Sequence, residues 1–462
     1  MDVFQIQQKQ IDHLLNLDED HFNDVKSKRI SPSKLQETFV AFANSDGGDL
    51  YVGIEDKSEK GERLVGLVNQ EEANDIISTL LEETNPAVEN VTIEFLETHT
   101  KGLILHISIP KSSKVHYTAN GDCFIRINAA KRKIKGERIT QLAYSKGAAP
   151  YEKNPIDSLE VADILESEHL QSYMQRVETI LDADIFLRKQ RLLTKVKNDY
   201  KPNVACALLF DEEPQATVDT RCAVKIYRLR TTEKEYKREQ LEEKPITING
   251  PIEQLIVKTI SQVKEYIDGA SFQDGTELIK LTYPSEALKE IFVNAVIHRD
   301  YSLNDDIHIK IYDNRIEVKS PGRLPGYMTI NNLYEERFSR NPNLVRMLHN
   351  LPDPLNHDIG EGLDTAKNEL KKAGLVDPIF EELENSFVVT IKHQKIASIE
   401  DVVIKHLEDN PKSIISNKLV RQLSGEDDMQ KVKLALQRLR SLGKIKPVDE
   451  KASAFNFKYI KN

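Results

Sequence analysis

Along Leu288-Lys-Glu-Ile-Phe-Val-Asn-Ala-Val-Ile-His-Arg-Asp-Tyr301, the polar residues Glu290, Asn294 and His298 recur every fourth position. In a helix of 3.6 residues per turn that spacing stacks them in one stripe. A carboxylate and a carboxamide one turn apart can act on one ligand: the amide oxygen is a hard ligand for Mg²⁺, and the carboxylate polarises a water beside it. A solvated helix face would show the same spacing, so the downstream residues matter. Asp306 to Ile311 and Arg315 to Lys319 read as paired strands across Tyr312-Asp313-Asn314, leading into the glycine turn Ser320-Pro-Gly-Arg-Leu-Pro-Gly326. Ile359-Gly-Glu-Gly-Leu363 then opens a helix, and Phe387 to Ile391 is a strand. That order suits a nucleotide, because glycine backbone approaches phosphates closely and a helix N-terminus stabilises their charge.

The chain that must position these groups has 462 residues and a net charge of −10, within the range of a soluble globular protein of several domains. It has no run of eighteen apolar residues and no charged start followed by an apolar stretch, so neither a membrane span nor a secretory signal is expected, and the location read from this is cytoplasmic. Cys123, Cys206 and Cys222 lie far apart in strand-like apolar runs, which argues against disulfides and a zinc site. The acidic balance argues against indiscriminate coating of nucleic acid. Charge is uneven, however. From Lys412 onward there are twelve Lys/Arg against five Asp/Glu, and Arg126 to Arg138 is a second basic run. Either can hold phosphates or be a solvated face.

Four segments follow from periodicity and turn signals. Residues 1–148 carry a helix-like stretch (Phe4 to Leu17), a strand-like stretch at Phe22 to Lys26, and a helix started by Ser31-Pro32 with the apolar face Leu35, Phe39, Phe42 and Ala43. Gly47-Gly48 stops that helix, and strands are expected at Asp49 to Ile54, Val91 to Phe95, Leu103 to Ile109 and Cys123 to Ile127. Residues 149–279 read as a connector with its own small core: an amphipathic stretch from Ile156 to Leu181, strands at Ala205 to Phe210 and Ala223 to Leu229, and a helix from Ile252 to Ile267. Residues 280–395 hold the Glu290 helix, with Ser285 as its expected cap and Leu288, Ile291, Phe292 and Ala295 as its apolar stripe. Residues 396–462 show helices at Ile399 to Leu407, Asn417 to Leu423 and Met429 to Leu442, a turn at Gly443 to Ile445 and a strand at Phe455 to Ile460. Three helices and a hairpin make the pattern of a winged helix, with Lys431, Lys433, Arg438 and Arg440 on the third helix suited to DNA phosphates and the major groove.

Taken together, Leu288 to Tyr301, Ser320 to Gly326, Arg340-Asn-Pro-Asn343 and Gly360-Glu-Gly362 resemble the divergent GHKL (Bergerat-fold) ATPase region at the C-terminal side of bacterial proteins labelled helicase-like. The resemblance implies an α/β sandwich binding ATP and Mg²⁺, with Glu290 as general base, Asn294 as the Mg²⁺ ligand, and Gly322, Gly326, Gly360 and Gly362 lining the nucleotide. The family aspartate that reads the adenine amino group falls on Ser320, which can accept one hydrogen bond without a carboxylate's charge or reach. His298 and Asp300 are expected to fix the helix end by local bonds. No G-x-x-x-x-G-K-[ST] occurs, so a translocation motor is not expected.

Phe39-Val-Ala-Phe-Ala-Asn-Ser-Asp-Gly-Gly-Asp-Leu-Tyr-Val-Gly-Ile-Glu-Asp56, Val65-Gly66-Leu67 and Phe124-Ile-Arg-Ile-Asn-Ala-Ala-Lys131 resemble the Schlafen AlbA-like domain. Members of that family bind nucleic acid, and some cut RNA or DNA with three acids around a metal. The matching positions are Glu19, Asp24 and Asp56, with Lys26 to stabilise charge, Mg²⁺ or Mn²⁺ as the ion, and Glu55 competing with Asp56 for the third place. The same acids are also what the surface of an acidic protein would contain. Arg126, Lys131 and Arg132 are the expected phosphate contacts. Two functions are carried forward: a nucleotide-regulated, metal-dependent nuclease, which the resemblance sets in phage defence, and an ATP-responsive DNA-binding regulator that does not cut. Both families self-associate, which implies a homo-oligomer.

Overall fold

Pro32 does what its type suggests, while Ser31 holds the cap position without a side-chain cap bond. Proline, with its fixed φ and missing N–H, occupies the first turn of α2 (Pro32–Asn44), and Ser31 precedes it in extended conformation. The computed structural model describes every residue except 60, 100, 269–270, 275–276, 281–282, 357–361, 393–398, 425–428 and 450–457, and describes the backbone alone at 268, 271–274, 277–280 and 401.

The first segment is a five-stranded sheet built from β1 (Val3–Gln5), β2 (Asn23–Lys26), β3 (Gly48–Val52), β4 (Thr92–Thr98) and β5 (Gly102–Ile109), in the order β1-β4-β5-β3-β2. The expected long first helix is thus a short strand followed by α1 (Gln8–Asn16). Alternation along β3 and β5 sends Leu50, Leu105 and Ile107 into one core with Leu35, Phe39 and Phe42 of α2, against which α3 (Asn74–Glu82) also packs. The other face is covered by Ile11 and Leu14 of α1 against Val25, Ile54 and Ile104. Each such side chain contributes about 1.5–3 kcal/mol when fully buried. The hairpin of β6 (Cys123–Ile127) and β7 (Ala130–Ile134) lies on α2, and α4 (Glu137–Lys146) closes the segment.

Asn44 joins these parts. It is buried, and its Nδ2 donates to the carbonyls of His116 and Phe124, both at 2.9 Å, while its Oδ1 accepts from the His116 N–H at 2.8 Å. The asparagine of the A-F-A-N stretch is therefore a backbone substitute that ties the end of α2 to β6.

Ala205 to Phe210, expected as a strand, is instead the helix α5 (Val204–Phe210), with every residue buried. Asn203 caps it by accepting from the Cys206 N–H at 3.0 Å. A seven-residue apolar run carries no usable period, and the cap decides the outcome. Cys206 therefore sits in a helix, and all three cysteines are free and buried. The amphipathic stretch after Ile156 breaks into Val161–Leu165 and Glu168–Arg176, with Ser167 capping the second.

A six-stranded sheet follows. Its strands are β8 (Val224–Arg228), β9 (Ile246–Ile248), β10 (Ile307–Ile311), β11 (Arg315–Pro321), β12 (Ile379–Glu382) and β13 (Ser386–Lys392), in the order β9-β8-β10-β11-β13-β12. β8 pairs parallel with β10, so strands that the sequence assigned to a connector belong to the same sheet as the Glu290 segment. Helices α6 (Ile252–Asp268) and α7 (Ser285–Ile297) pack on each other and on this sheet, α7 over β11. Pro284, not Ser285, holds the cap position of α7, and the Ser285 hydroxyl accepts from Lys264 Nζ at 2.6 Å. Helices α8 (Pro342–His349) and α9 (Gly362–Lys372) complete the segment.

The contacts divide the chain into two compact units, Met1–Leu370 with Asp377–Lys392, and Lys371–Val376 with His393–Asn462. The second unit packs α10 (Ile399–Asp409), α11 (Asn417–Ser424) and α12 (Met429–Ser441) around Val403, Leu407, Val420, Val432, Leu436 and Leu439. A hairpin of β14 (Ile445–Pro447) and β15 (Tyr459–Lys461) joins it. Residues 455–457 of the expected last strand lie outside the described residues. No helix among the described residues is long and apolar enough to cross a membrane.

Replacing Asn44 by Ala leaves a buried N–H and two carbonyls without partners. Asn44→Ala should lower the unfolding free energy by on the order of 3 kcal/mol, read as a shift of the urea midpoint at unchanged slope.

Candidate functional site

Helix α7 turns Leu288, Ile291, Phe292 and Val296 into the core and leaves Glu290, Asn294 and His298 along the wall of a cavity of about 320 Å³. That is the lower end of the range for small-molecule sites. Across from α7 stand Ser320 of β11, the turn from Gly322 to Pro325, and Gly362 at the start of α9. Leu324, Met328, Leu333, Phe338, Phe387 and Val389 give the wall an apolar part, and Glu336, Arg337, Ser339, Asn356 and Thr365 add further polar groups.

Glycine is required at two of these places for different reasons. Gly322 has φ +102°, and a Cβ there would lie 2.6 Å from Asp300 Cβ and 2.7 Å from Arg340 Nη1. Gly362 has ordinary backbone, but a Cβ on it would collide with Glu290 Oε2 and come within 3.5 Å of Asn294 Nδ2. Gly362, at the helix start, is thus pressed against the carboxylate–carboxamide pair. Gly326 lies just outside this wall, its N–H donating to the Lys146 carbonyl at 2.9 Å, and Gly360 falls outside the described residues.

Ser320 Oγ donates to the Ala295 carbonyl at 2.7 Å. Its proton is spent on the helix, so toward the cavity the hydroxyl offers only a lone pair. His298 ends α7 through its own N–H, which donates to the Asn294 carbonyl at 3.1 Å, and its Nδ1 is enclosed without a partner. Burial, reinforced by the charge of Arg340, pushes the imidazole down to about 4, so it is neutral near pH 7. Asp300 does make the expected local turn, its Oδ1 accepting from the Ser302 N–H at 3.0 Å and Oγ at 2.6 Å. Behind the wall, the buried Arg340 guanidinium donates to the carbonyls of His298 (2.9 Å), Ser145 (2.9 Å) and Arg323 (2.6 Å).

The N-terminal acids are arranged differently. Lys26 Nζ bridges Glu19 Oε1, at 3.0 Å, and Asp24 Oδ1, while Asp24 Oδ2 accepts from Arg126 Nη1 at 2.7 Å. Both oxygens of the buried Asp24 are therefore taken by cations. Burial, helped by the charge of Asp24, pushes the Glu19 carboxyl above its usual range. Asp56 is exposed and accepts from the Ser58 N–H (2.7 Å) and Oγ (2.6 Å), whereas Glu55 is buried against Ser27 and Arg29. Among the described residues no three of His, Cys, Asp and Glu are grouped so as to hold a metal ion. The donor set does not fit Mg²⁺ or Mn²⁺ in this arrangement.

Arg126 is a correction to the sequence reading. Its side chain is 1% exposed, it donates to the carbonyls of Asp20 and Asn23 as well as to Asp24, and its guanidinium lies 4.3 Å above the Phe42 ring. It is a packing residue and cannot reach a phosphate outside. Lys131 is partly covered, pairing with Glu37 at 2.9 Å, while Arg132 is exposed on the same hairpin. In the second unit Lys431, Lys433, Arg438 and Arg440 are all exposed on α12, between its buried Val432, Ala435, Leu436 and Leu439. Arg438 lies 3.5 Å from Glu400.

Two family models match. Residues 19–135 match the family described as "Schlafen, AlbA_2", and residues 304–391 match the one described as "Putative ATP-dependent DNA helicase recG C-terminal". The first match spans the five-stranded sheet from β2 onward together with the basic hairpin. The second spans Ser320, Gly322, Gly326 and Gly362 and begins after α7, so it does not include Glu290 and Asn294. Among solved structures, the DIP2311 protein from Corynebacterium diphtheriae shares 16% identity over 98% of this chain and 96% of that one, at a TM-score of 0.41. No curated protein matches. The two matched regions suggest a function in which a nucleotide and a nucleic acid both take part.

Sequence reasoning overlooked the charged residues behind the glycine turn, Arg323, Asp46, Lys111 and Glu382, described below. Two of them lie inside quoted motifs, yet nothing in a single sequence pairs residues 277 positions apart.

Because the folded pKa of His298 lies below the unfolded value of about 6.5, the unfolded chain takes up a proton that the native cavity refuses. The resulting stability is present above pH 6.5 and is lost as pH falls through the folded value. Urea midpoints between pH 7 and pH 4 should fall less steeply in His298→Gln than in the parent protein; parallel curves would show that His298 titrates normally.

Proposed function

We propose that this chain is a nucleotide-responsive nucleic-acid-binding protein, with a Bergerat-type ATP cavity beside α7, a Schlafen-like N-terminal domain and a C-terminal winged helix as nucleic-acid-binding ends. One observation carries the reading. Glu290 and Asn294, Ser320 and Gly322, and Gly362 come from three separate stretches of sequence and line a single cavity, and Gly362 packs so closely on the carboxylate–carboxamide pair that a side chain there would collide with Glu290.

In that reading the Asn294 amide oxygen holds Mg²⁺, Glu290 orients a water, Ser320 Oγ accepts from the amino group of the base, and the apolar wall takes the ring. The bound nucleotide supplies a hydrolysable phosphoanhydride. On the nucleic-acid side, Lys131 and Arg132 on the β6–β7 hairpin and the basic face of α12 are the phosphate contacts, and a twofold homo-oligomer is the simplest assembly. Binding without cutting is favoured over a metal-dependent nuclease because Lys26 and Arg126 neutralise both oxygens of Asp24.

Mg²⁺ with ATP at a hundredfold excess over the dissociation constant should stabilise the protein by about 2.7 kcal/mol, visible as a rise in melting temperature. Asn294→Ala and Gly362→Ala should each abolish that rise while melting near the parent temperature in its absence; equal stabilisation of Asn294→Ala removes it as the metal ligand. Labelled DNA and RNA incubated with the protein and Mg²⁺ or Mn²⁺, with and without ATP, should be retarded on a gel and stay intact. Cleavage that is lost in Asp24→Ala and Asp56→Ala would establish the nuclease instead.

A further inference from the structure

The turn that walls the cavity is held from behind by the N-terminal domain. Arg323, next to the cavity glycine Gly322, donates from Nη1 to Asp46 Oδ2 at 3.0 Å and pairs through Nη2 with Glu382 Oε2 at 3.1 Å. Asp46 belongs to the turn between α2 and β3, while Glu382 is the last residue of β12. Lys111, just after β5, completes the cluster: its Nζ donates to the carbonyls of Leu324 (2.9 Å) and Met328 (3.0 Å), and lies 3.7 Å from Asp46 and 3.8 Å from Glu382. Glu382 also accepts from the Leu324 N–H at 2.8 Å. The side chains of Asp46 and Lys111 are about nine-tenths buried, at 9% and 10% exposed.

This cluster has a second end. Asp46 Oδ2 is 2.6 Å from His21 Nε2, and the neighbouring Asp20 gives its carbonyl to Arg126 Nε at 2.9 Å. Arg126 in turn holds Asp24. A continuous set of charge-assisted bonds therefore runs from the cavity wall to the loop before β2. Such bonds are short, directional and strong where water is scarce, so displacement at one end is transmitted to the other.

We propose that Asp46 and Lys111 of the N-terminal domain are positioning residues for the nucleotide cavity, and that occupancy of the cavity is thereby coupled to the order of the segment from Asp20 to Asp24, where the loop enters β2. The proposal rests on the nucleotide reading of the cavity. Neither residue touches the cavity; each acts through Arg323 or through the backbone of Leu324 and Met328. By linkage the coupling runs both ways, so whatever orders that segment tightens nucleotide binding by the same factor.

The test is amide hydrogen exchange on the whole chain, with and without Mg·ATP, alongside nucleotide titrations. In the parent protein nucleotide should slow exchange both in 320–328 and in 20–24. Asp46→Asn keeps the shape and removes the charge. It should weaken Mg·ATP roughly tenfold, in the usual range for coupled sites, and should abolish the slowing in 20–24 while that in 320–328 persists at saturating nucleotide. Glu382→Gln approaches the cluster from the other side and should weaken nucleotide similarly, and Lys111→Met, which keeps the length of the side chain and removes its charge, should do the same. Slowing confined to 320–328 in the parent, or parent-like ATP affinity in Asp46→Asn, overturns the coupling and leaves the nucleotide reading intact. No effect of Mg·ATP on any segment of the parent overturns the nucleotide reading, and this proposal with it.

Discussion

One buried guanidinium sets the geometry on which the rest depends. Arg340 is 1% exposed, and its partners are three carbonyls: the end of α7 at His298, the glycine turn at Arg323, and the end of α4 at Ser145. Burial pulls its pKa down, while the nearby charges of Asp300 and Glu382 push the other way. An arginine keeps its proton even so, since its unperturbed value is so high. A charge held away from water needs partners, and here Nη1 and Nη2 donate to backbone from three elements that share no sequence neighbourhood, while Nε is buried without one. The position of α7 relative to the turn at Gly322 is therefore fixed by the need to solvate one cation. Gly322 is part of the same constraint, because a side chain there would displace Arg340 Nη1.

The two acidic sites proposed from sequence part company on the same principle. At α7 the carboxylate Glu290 lines a cavity with Gly362 packed closely against it and a carboxamide one turn away. At the N-terminus, Asp24 is buried with a cation on each oxygen, and the arginine expected to hold phosphate spends its donors on Asp24, Asp20 and Asn23. The same residue types thus line a cavity in one place and form a neutralised internal network in the other. A carboxylate that must bind a divalent ion needs lone pairs directed at a shared point away from other cations; Asp24 has a cation already on each oxygen, whose charge repels a metal.

Much of the fold could be read from period and punctuation. The helix from Pro32, the β10–β11 hairpin and the three helices of the second unit sit where apolar spacing and turn residues put them, because each buries one face against a single layer. The failures have physical causes. Val204–Phe210 is buried all round, so strand and helix periods coincide, and only the Asn203 cap distinguishes them. Arg126 looked like a surface base because lysines follow it, yet alternation along β6 turns it inward onto Phe42. The cavity residues were legible as motifs. Their supports were not, since Asp46 meets Arg323 only through the packing of two domains.

That packing uses ions where apolar residues would serve stability equally well. Replacing a buried ion cluster with hydrophobic side chains of similar volume is often neutral or favourable, so a cluster such as Asp46, Lys111, Arg323 and Glu382 is poorly explained as a source of cohesion. What ions provide and apolar contacts do not is direction: Lys111 must face the Leu324 and Met328 carbonyls, and Glu382 must face the Leu324 N–H, for their charges to be met. The charges behind the turn are thus best understood as a jig that holds its backbone in one place, at some expense in desolvation. Their reach as far as His21 follows from the same directionality, because each carboxylate oxygen that orients one cation constrains the next.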